Sequence, residues 1–70
     1  MQIKFSRIKL GLWQALDQDG NDIALLEKQP SGVWYGMNTR PDLQVLFVDS
    51  SLQEVRKLIR DYFELSDGDK

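Results

Sequence analysis

Residues 51–64 carry the pattern that most restricts how this chain can fold. Leu52, Val55, Leu58, Ile59, Tyr62 and Phe63 fall at i, i+3, i+6, i+7, i+10 and i+11, which at about 3.6 residues per turn draws one apolar stripe down a helix. Gln53, Glu54, Arg56, Lys57, Arg60, Asp61 and Glu64 fill the other sides. Ser51 and Glu54 have the spacing of a capping box, in which each side chain takes the other's unpaired backbone N–H. Asp49, just ahead, suits the positive end of the helix dipole. A helix with one apolar side must bury it against another element. Everything before it is short, turn-punctuated and strand-like, so the chain reads as a small antiparallel sheet covered by one terminal helix.

The strands follow from alternation and punctuation. Ile3 and Phe5, then Ile8, Leu10 and Leu12, recur every second residue, and the phase slips by one at Ser6-Arg7, as a bulge produces. This predicts one long, bent strand from Ile8 to Leu16, with residues 1–5 either its extension or a separate edge strand. Asp17-Gln18-Asp19-Gly20-Asn21-Asp22 is a hairpin turn, because Gly takes positive φ freely and Asp and Asn bond their own backbone. Ile23–Lys28 returns as the second strand, and Gln29-Pro30-Ser31-Gly32 turns it, with Pro30 fixing φ at the second position. Val33–Met37 makes a third strand, rich in aromatic and β-branched types. Leu43–Val48 is either a fourth strand or an extended segment across the sheet edge. The expected fold is therefore α+β: an antiparallel β-meander of three strands, or four, with one C-terminal amphipathic helix packed on one face. Residues 1–65 form a single small domain and 66–70 a flexible polar end.

Size and composition then limit what such a domain can do. A chain of 70 residues buries only about 60% of the surface its unfolded form exposes. It has no Cys and no His, so neither a disulfide nor the commonest metal ligand supports it. Stability must come from the apolar core or from a partner, and self-association is one way to supply it. The net charge of −2, from 11 acids against 9 bases, is too acidic for a dedicated duplex-DNA binder and too mild for an acidic tail. The longest apolar runs, Ile23–Leu26 and Val45–Val48, fall far short of the roughly 20 residues that span a bilayer. Residues 1–7 lack the apolar stretch of a signal peptide, which makes the cytoplasm the expected setting.

Signs of chemistry are few. The Asp17–Asp22 turn begins like a calcium loop, but in that register the sixth position is Asp22 instead of Gly and the twelfth is Lys28 instead of Glu. It reads as a hairpin turn and no metal is expected. The Ser and Thr hydroxyls have no His to activate them, and no Gly-rich loop has phosphate-binding spacing. No enzyme activity and no cofactor are expected.

Two surface features remain. Trp34 and Tyr35 are adjacent in one strand and so point to opposite faces. One helix covers one face, so one of the two lies on the open side, expected with Trp13 beside it and Arg40 at the rim. Lys4, Arg7 and Lys9 in the first strand, with Arg56, Lys57 and Arg60 on the helix, make a positive patch if they share a side. The leading expectation is a small non-catalytic protein-interaction module, a regulator, adaptor or inhibitor that binds another protein or itself as a homodimer. The alternative is a nucleic-acid-binding domain using Lys4, Arg7, Lys9 and the sheet aromatics.

Overall fold

A computed structural model describes residues 2–40 and 42–68, with side chains as far as Glu64. Five strands precede one helix: β1 (Lys4–Lys9), β2 (Leu12–Leu16), β3 (Asp22–Lys28), β4 (Trp34–Asn38), β5 (Gln44–Asp49) and α1 (Leu52–Gly68). The strands form one sheet in sequence order, antiparallel throughout. The fold is α+β as expected, but the meander has five strands where three or four were predicted.

The fifth strand comes from two corrections. The single long strand over Ile8–Leu16 is instead a hairpin, because Gly11, with φ of +81°, reverses the chain between Lys9 and Leu12. Alternation carries straight through so tight a turn and hides it. The register slip falls at Ile8, between the Arg7–Trp13 and Lys9–Leu12 pairs, one residue later than the sequence phase suggests. Leu43–Val48 resolves in favour of a strand: β5 pairs along β4 from Asn38–Gln44 to Trp34–Asp49, with one bulge.

The two predicted turns share one geometry. Gly20 N–H donates to Asp17 O at 3.0 Å, and Gly32 N–H donates to Gln29 O at 2.8 Å. Each glycine has positive φ, +87° and +98°, and the flanking residue closes the hairpin through Asp17 N–H to Asn21 O or Gln29 N–H to Val33 O. These are three-residue loops that end in a left-handed glycine.

Cross-strand register sorts the side chains. On one face lie Phe5–Ala15–Ala24 and, one row on, Arg7–Trp13–Leu26–Gly36–Phe47. Helix α1 crosses this face above β3, β4 and β5. Val55 and Ile59, both fully buried, close over Leu26, Ala15 and Ala24, and Ile3 completes the buried core. The helix comes this close because Gly36 presents no side chain: a Cβ there would lie 2.8 Å from Val55 Cγ1 and 3.2 Å from Ile59 Cδ1.

The helix start uses half of the predicted capping box. Glu54 N–H donates to Ser51 Oγ at 3.3 Å, but Ser51 N–H donates to Asp49 Oδ1 at 2.9 Å. Asp49 thus performs the task assigned to Glu54. The helical backbone runs to Gly68, through most of the segment read as a flexible polar end, whose residues 69 and 70 lie outside the described residues.

Candidate functional site

Two surfaces stand out, one on each side of the sheet. On the helix side, α1 packs on β3 to β5 and leaves a gap above β1 and β2 that side chains close, with Ala15 and Ile3 buried. Arg56 and Arg60 reach from the helix over this gap, with the Arg56 guanidinium 4.9 Å from the Phe5 ring and 5.3 Å from the Trp13 ring. Arg60 lies 5.3 Å from the Phe5 ring. At such distances the cation is attracted to the negative face of the ring while its N–H groups stay outward.

Beyond Trp13 the face opens into a cleft of about 530 Å³, lined by two turns and the strands they join. Leu10 and Gly11 come from the β1–β2 turn, and Gln29 and Pro30 from the β3–β4 turn. Arg7, Trp13, Lys28 and Trp34 complete the lining. The lining holds both tryptophans of the chain and two cations, with no carboxylate. Asp49 shares the Lys28–Trp34 row, but its carboxylate accepts the Ser51 N–H at the helix cap.

The other side of the sheet has no element over it among the described residues. Its central rows are Leu12–Glu27–Tyr35–Val48 and Gln14–Leu25–Met37–Val45. Val45 and Val48 are 49% and 54% exposed. Lys4 and Lys9, which pair with Leu16 and Leu12, stand at the β1 margin of this face.

The sequence argument separated Trp34 from Tyr35 correctly, and the structure places Tyr35 on the open side. Trp13 is a correction. It was expected beside the open-face aromatic, but its pairing with Arg7 and Leu26 sets it on the helix side with Trp34. The misplacement follows from reading β1 and β2 as one strand: strand parity cannot be carried through a reversal. Arg40 sits past the far end of β4, where its Nη2 lies 4.0 Å from Asp22 Oδ1 and its N–H donates to Asn38 Oδ1, so it is not brought next to Tyr35. The Lys4, Arg7, Lys9 set is divided by the pleat, with Arg7 facing the cleft and the two lysines on the reverse. Lys28, Gln29 and Pro30 were missed as site residues. Their signal was a turn placed beside a strand that ends in a cation, legible only once the β1–β2 turn was known to lie at the same end.

The acidic turn at the opposite end is built around one carboxylate. Asp17 Oδ1 accepts the N–H groups of Asp19 and Asn21, each at 2.9 Å, and Oδ2 accepts Asn21 Nδ2 at 3.3 Å. The Asn21 backbone bond is the main cause that holds the Asp17 carboxyl below its ordinary value. All its partners belong to the turn, so the carboxylate is spent on the hairpin.

The fold is α+β, a five-stranded meander with one helix, with an aromatic–basic cleft on one side of the sheet and an uncovered, largely apolar face on the other. No protein-family model, no curated protein and no solved structure matches this chain.

Proposed function

We propose that this chain is a small non-catalytic interaction module that assembles with a second copy of itself through the open face of its sheet. The observation that supports the reading is the uncovered apolar face built by Leu12, Leu25, Tyr35, Met37, Val45 and Val48. Apolar side chains left in water on a continuous face forfeit the contribution that burial makes to stability. Five strands of five to seven residues, spaced about 4.8 Å apart, make a face of roughly 20 by 20 Å. That footprint, about 400 Å², is roughly half of the ~800 Å² per partner of a standard interface, which suits a dimer of modest affinity. Six of the eight residues in its two central rows are apolar, with Glu27 and Gln14 the exceptions, and a second copy supplies the same surface by construction, as a two-fold interface requires. A domain this small gains a second core by such stacking.

The non-catalytic part of the reading rests on the absence of His and Cys from the sequence. The cytoplasm is the proposed setting, since a chain without cysteine gains nothing from an oxidising compartment. No described helix is long and apolar enough to cross a membrane.

Sedimentation equilibrium on the full chain tests the proposal. The expected result is a dimer whose affinity is unchanged by salt, and a monomer for Val48→Lys, which places a charge on the open face without touching the helix-side core. A wild-type monomer at high micromolar concentration, or an unaffected Val48→Lys dimer, overturns the second copy as the occupant. One observation favours nucleic acid as a further ligand, and it lies on the other side of the sheet.

A further inference from the structure

We propose that the Trp13–Trp34 cleft, walled by Arg7 and Lys28, is a binding track for single-stranded nucleic acid, with Arg56 as a further cation beside Trp13. The inference is independent of the dimer, because the track lies on the opposite side of the sheet from the apolar face.

Aromatic and basic side chains alternate along one line. Arg60 and Arg56 lie over Phe5, Arg56 also reaches Trp13, Arg7 pairs across the strands with Trp13, and Lys28 pairs with Trp34. A single strand presents that alternation in return, with flat bases on one edge and phosphates on the other. Bases stack on aromatic rings without regard to sequence, while cations follow the backbone. Duplex DNA is a poor match, since its bases are already stacked and its uniform charge calls for a broader basic surface. The cleft of about 530 Å³ has the volume of a small-ligand site, enough for one splayed base with its sugar. Its open side and its two tryptophans suit a short run of nucleotides better than one.

Charge distribution fits as well. The net −2 describes the whole molecule, and its acids lie outside the cleft lining, the nearest by register being Asp49, which pairs with Trp34 and caps the helix. Asp17, Asp19 and Asp22 lie in or beside the β2–β3 turn at the far end of the sheet, and Glu27 pairs with Leu12 and Tyr35 on the reverse face. No carboxylate lines the cleft. A net acidic chain with a local basic track attracts phosphate only at short range, so binding is modest and strongly dependent on salt.

The molecule carries its own reporter, because both of its tryptophans line the cleft. Oligothymidylate, which forms no duplex with itself, is titrated into the full chain while intrinsic fluorescence is followed, with thymidine monophosphate as the comparison. Saturable quenching by the oligomer is expected, with log affinity falling against log salt at a slope of about −1.4 to −2.1 for two or three phosphates. The double variant Arg7→Glu/Lys28→Glu is expected to weaken binding by about tenfold or more, and Arg7→Gln/Lys28→Gln by an intermediate factor. Lys4→Glu/Lys9→Glu makes the same charge change on the reverse face and is expected to stay within about threefold of wild type. All four residues are exposed, so each variant retains the wild-type melt. Absence of saturable quenching overturns the proposal, and so does equal loss in the two glutamate pairs. Thymidine monophosphate binding as tightly as the oligomer overturns the strand as ligand.

Discussion

At the scale of single residues, two positions decide local structure, one by what it lacks and one by what it accepts. Gly36 keeps negative φ, so its requirement is space and not backbone freedom. A methyl group there meets Val55 Cγ1 at 2.8 Å, and α1 must lift from β4 or its side chains must leave their rotamers. Gly36→Ala is expected to cost about 1–3 kcal/mol by urea denaturation, the range for overpacking a closed core. The same change at Gly20 finds open space but a φ of +87°, so a loss there reports backbone strain alone. Asp17 acts through acceptance. Its carboxyl is held below the ordinary value chiefly by the Asn21 backbone N–H, so the charged form is favoured in the folded chain. The linkage sign follows: this contribution is fully present above the unfolded pKa of Asp and is lost as pH falls through the lower folded value. An NMR pH titration is expected to give Asp17 a midpoint below the ordinary Asp value, and Asp17→Ala to remove its share of the acid dependence of stability.

At the scale of elements, the helix stripe divides unevenly. Ile59 is fully buried against Gly36, while Leu58 is half-buried and lies outside the core cluster. Tyr62 is 44% exposed and makes edge-on contacts with Phe47 and Phe63 at 5.9 and 5.0 Å. Ile59→Ala is therefore expected to cost about 2–5 kcal/mol and Leu58→Ala less than half of whatever Ile59→Ala costs, measured by thermal or urea unfolding. Equal losses would mean that α1 is rotated about its axis from the position described. Periodicity marks both residues as apolar positions but not their depth, because a stripe of six spans more of the helix circumference than one sheet face covers. The strands show the same limit in reverse. Ile23-Ala24-Leu25-Leu26 and Val45-Leu46-Phe47-Val48 do not alternate, and in a meander such runs signal strands that are apolar on both faces.

At the scale of the whole molecule, one helix on five strands leaves a surplus of apolar surface. The helix lies over β3 to β5, so among the described residues no element covers the reverse face, and the β1–β2 end of its own face is closed by Arg56 and Arg60. The two exposures have different chemistry. The reverse face is largely apolar, with Glu27 and Gln14 in its rows and lysines at one margin, whereas the cleft on the helix side combines two tryptophans with two cations. Assembly through the first buries surface absent from the unfolded chain's partners, so the proposed dimer also makes the melting temperature rise with protein concentration. The second lies on the opposite side of the sheet, so the proposed dimer and the proposed strand do not compete for one surface.

The sequence by itself determined the hairpin turns at Gly20 and Gly32, the start of α1, the opposite facing of Trp34 and Tyr35, and the α+β class. Each depends on residues a few positions apart, whose conformational preferences act locally. The β1–β2 reversal at Gly11 escaped notice because alternation continues through it, and the fate of Leu43–Val48 hung on whether β4 offered a free edge. Only the tertiary structure decided that Trp13 joins Trp34 and not Tyr35, that Arg7 parts from Lys4 and Lys9, and that Gly36 seats the helix. Those facts depend on which strands become neighbours and where the helix settles, and burial across the sheet is a sum over residues far apart in the chain.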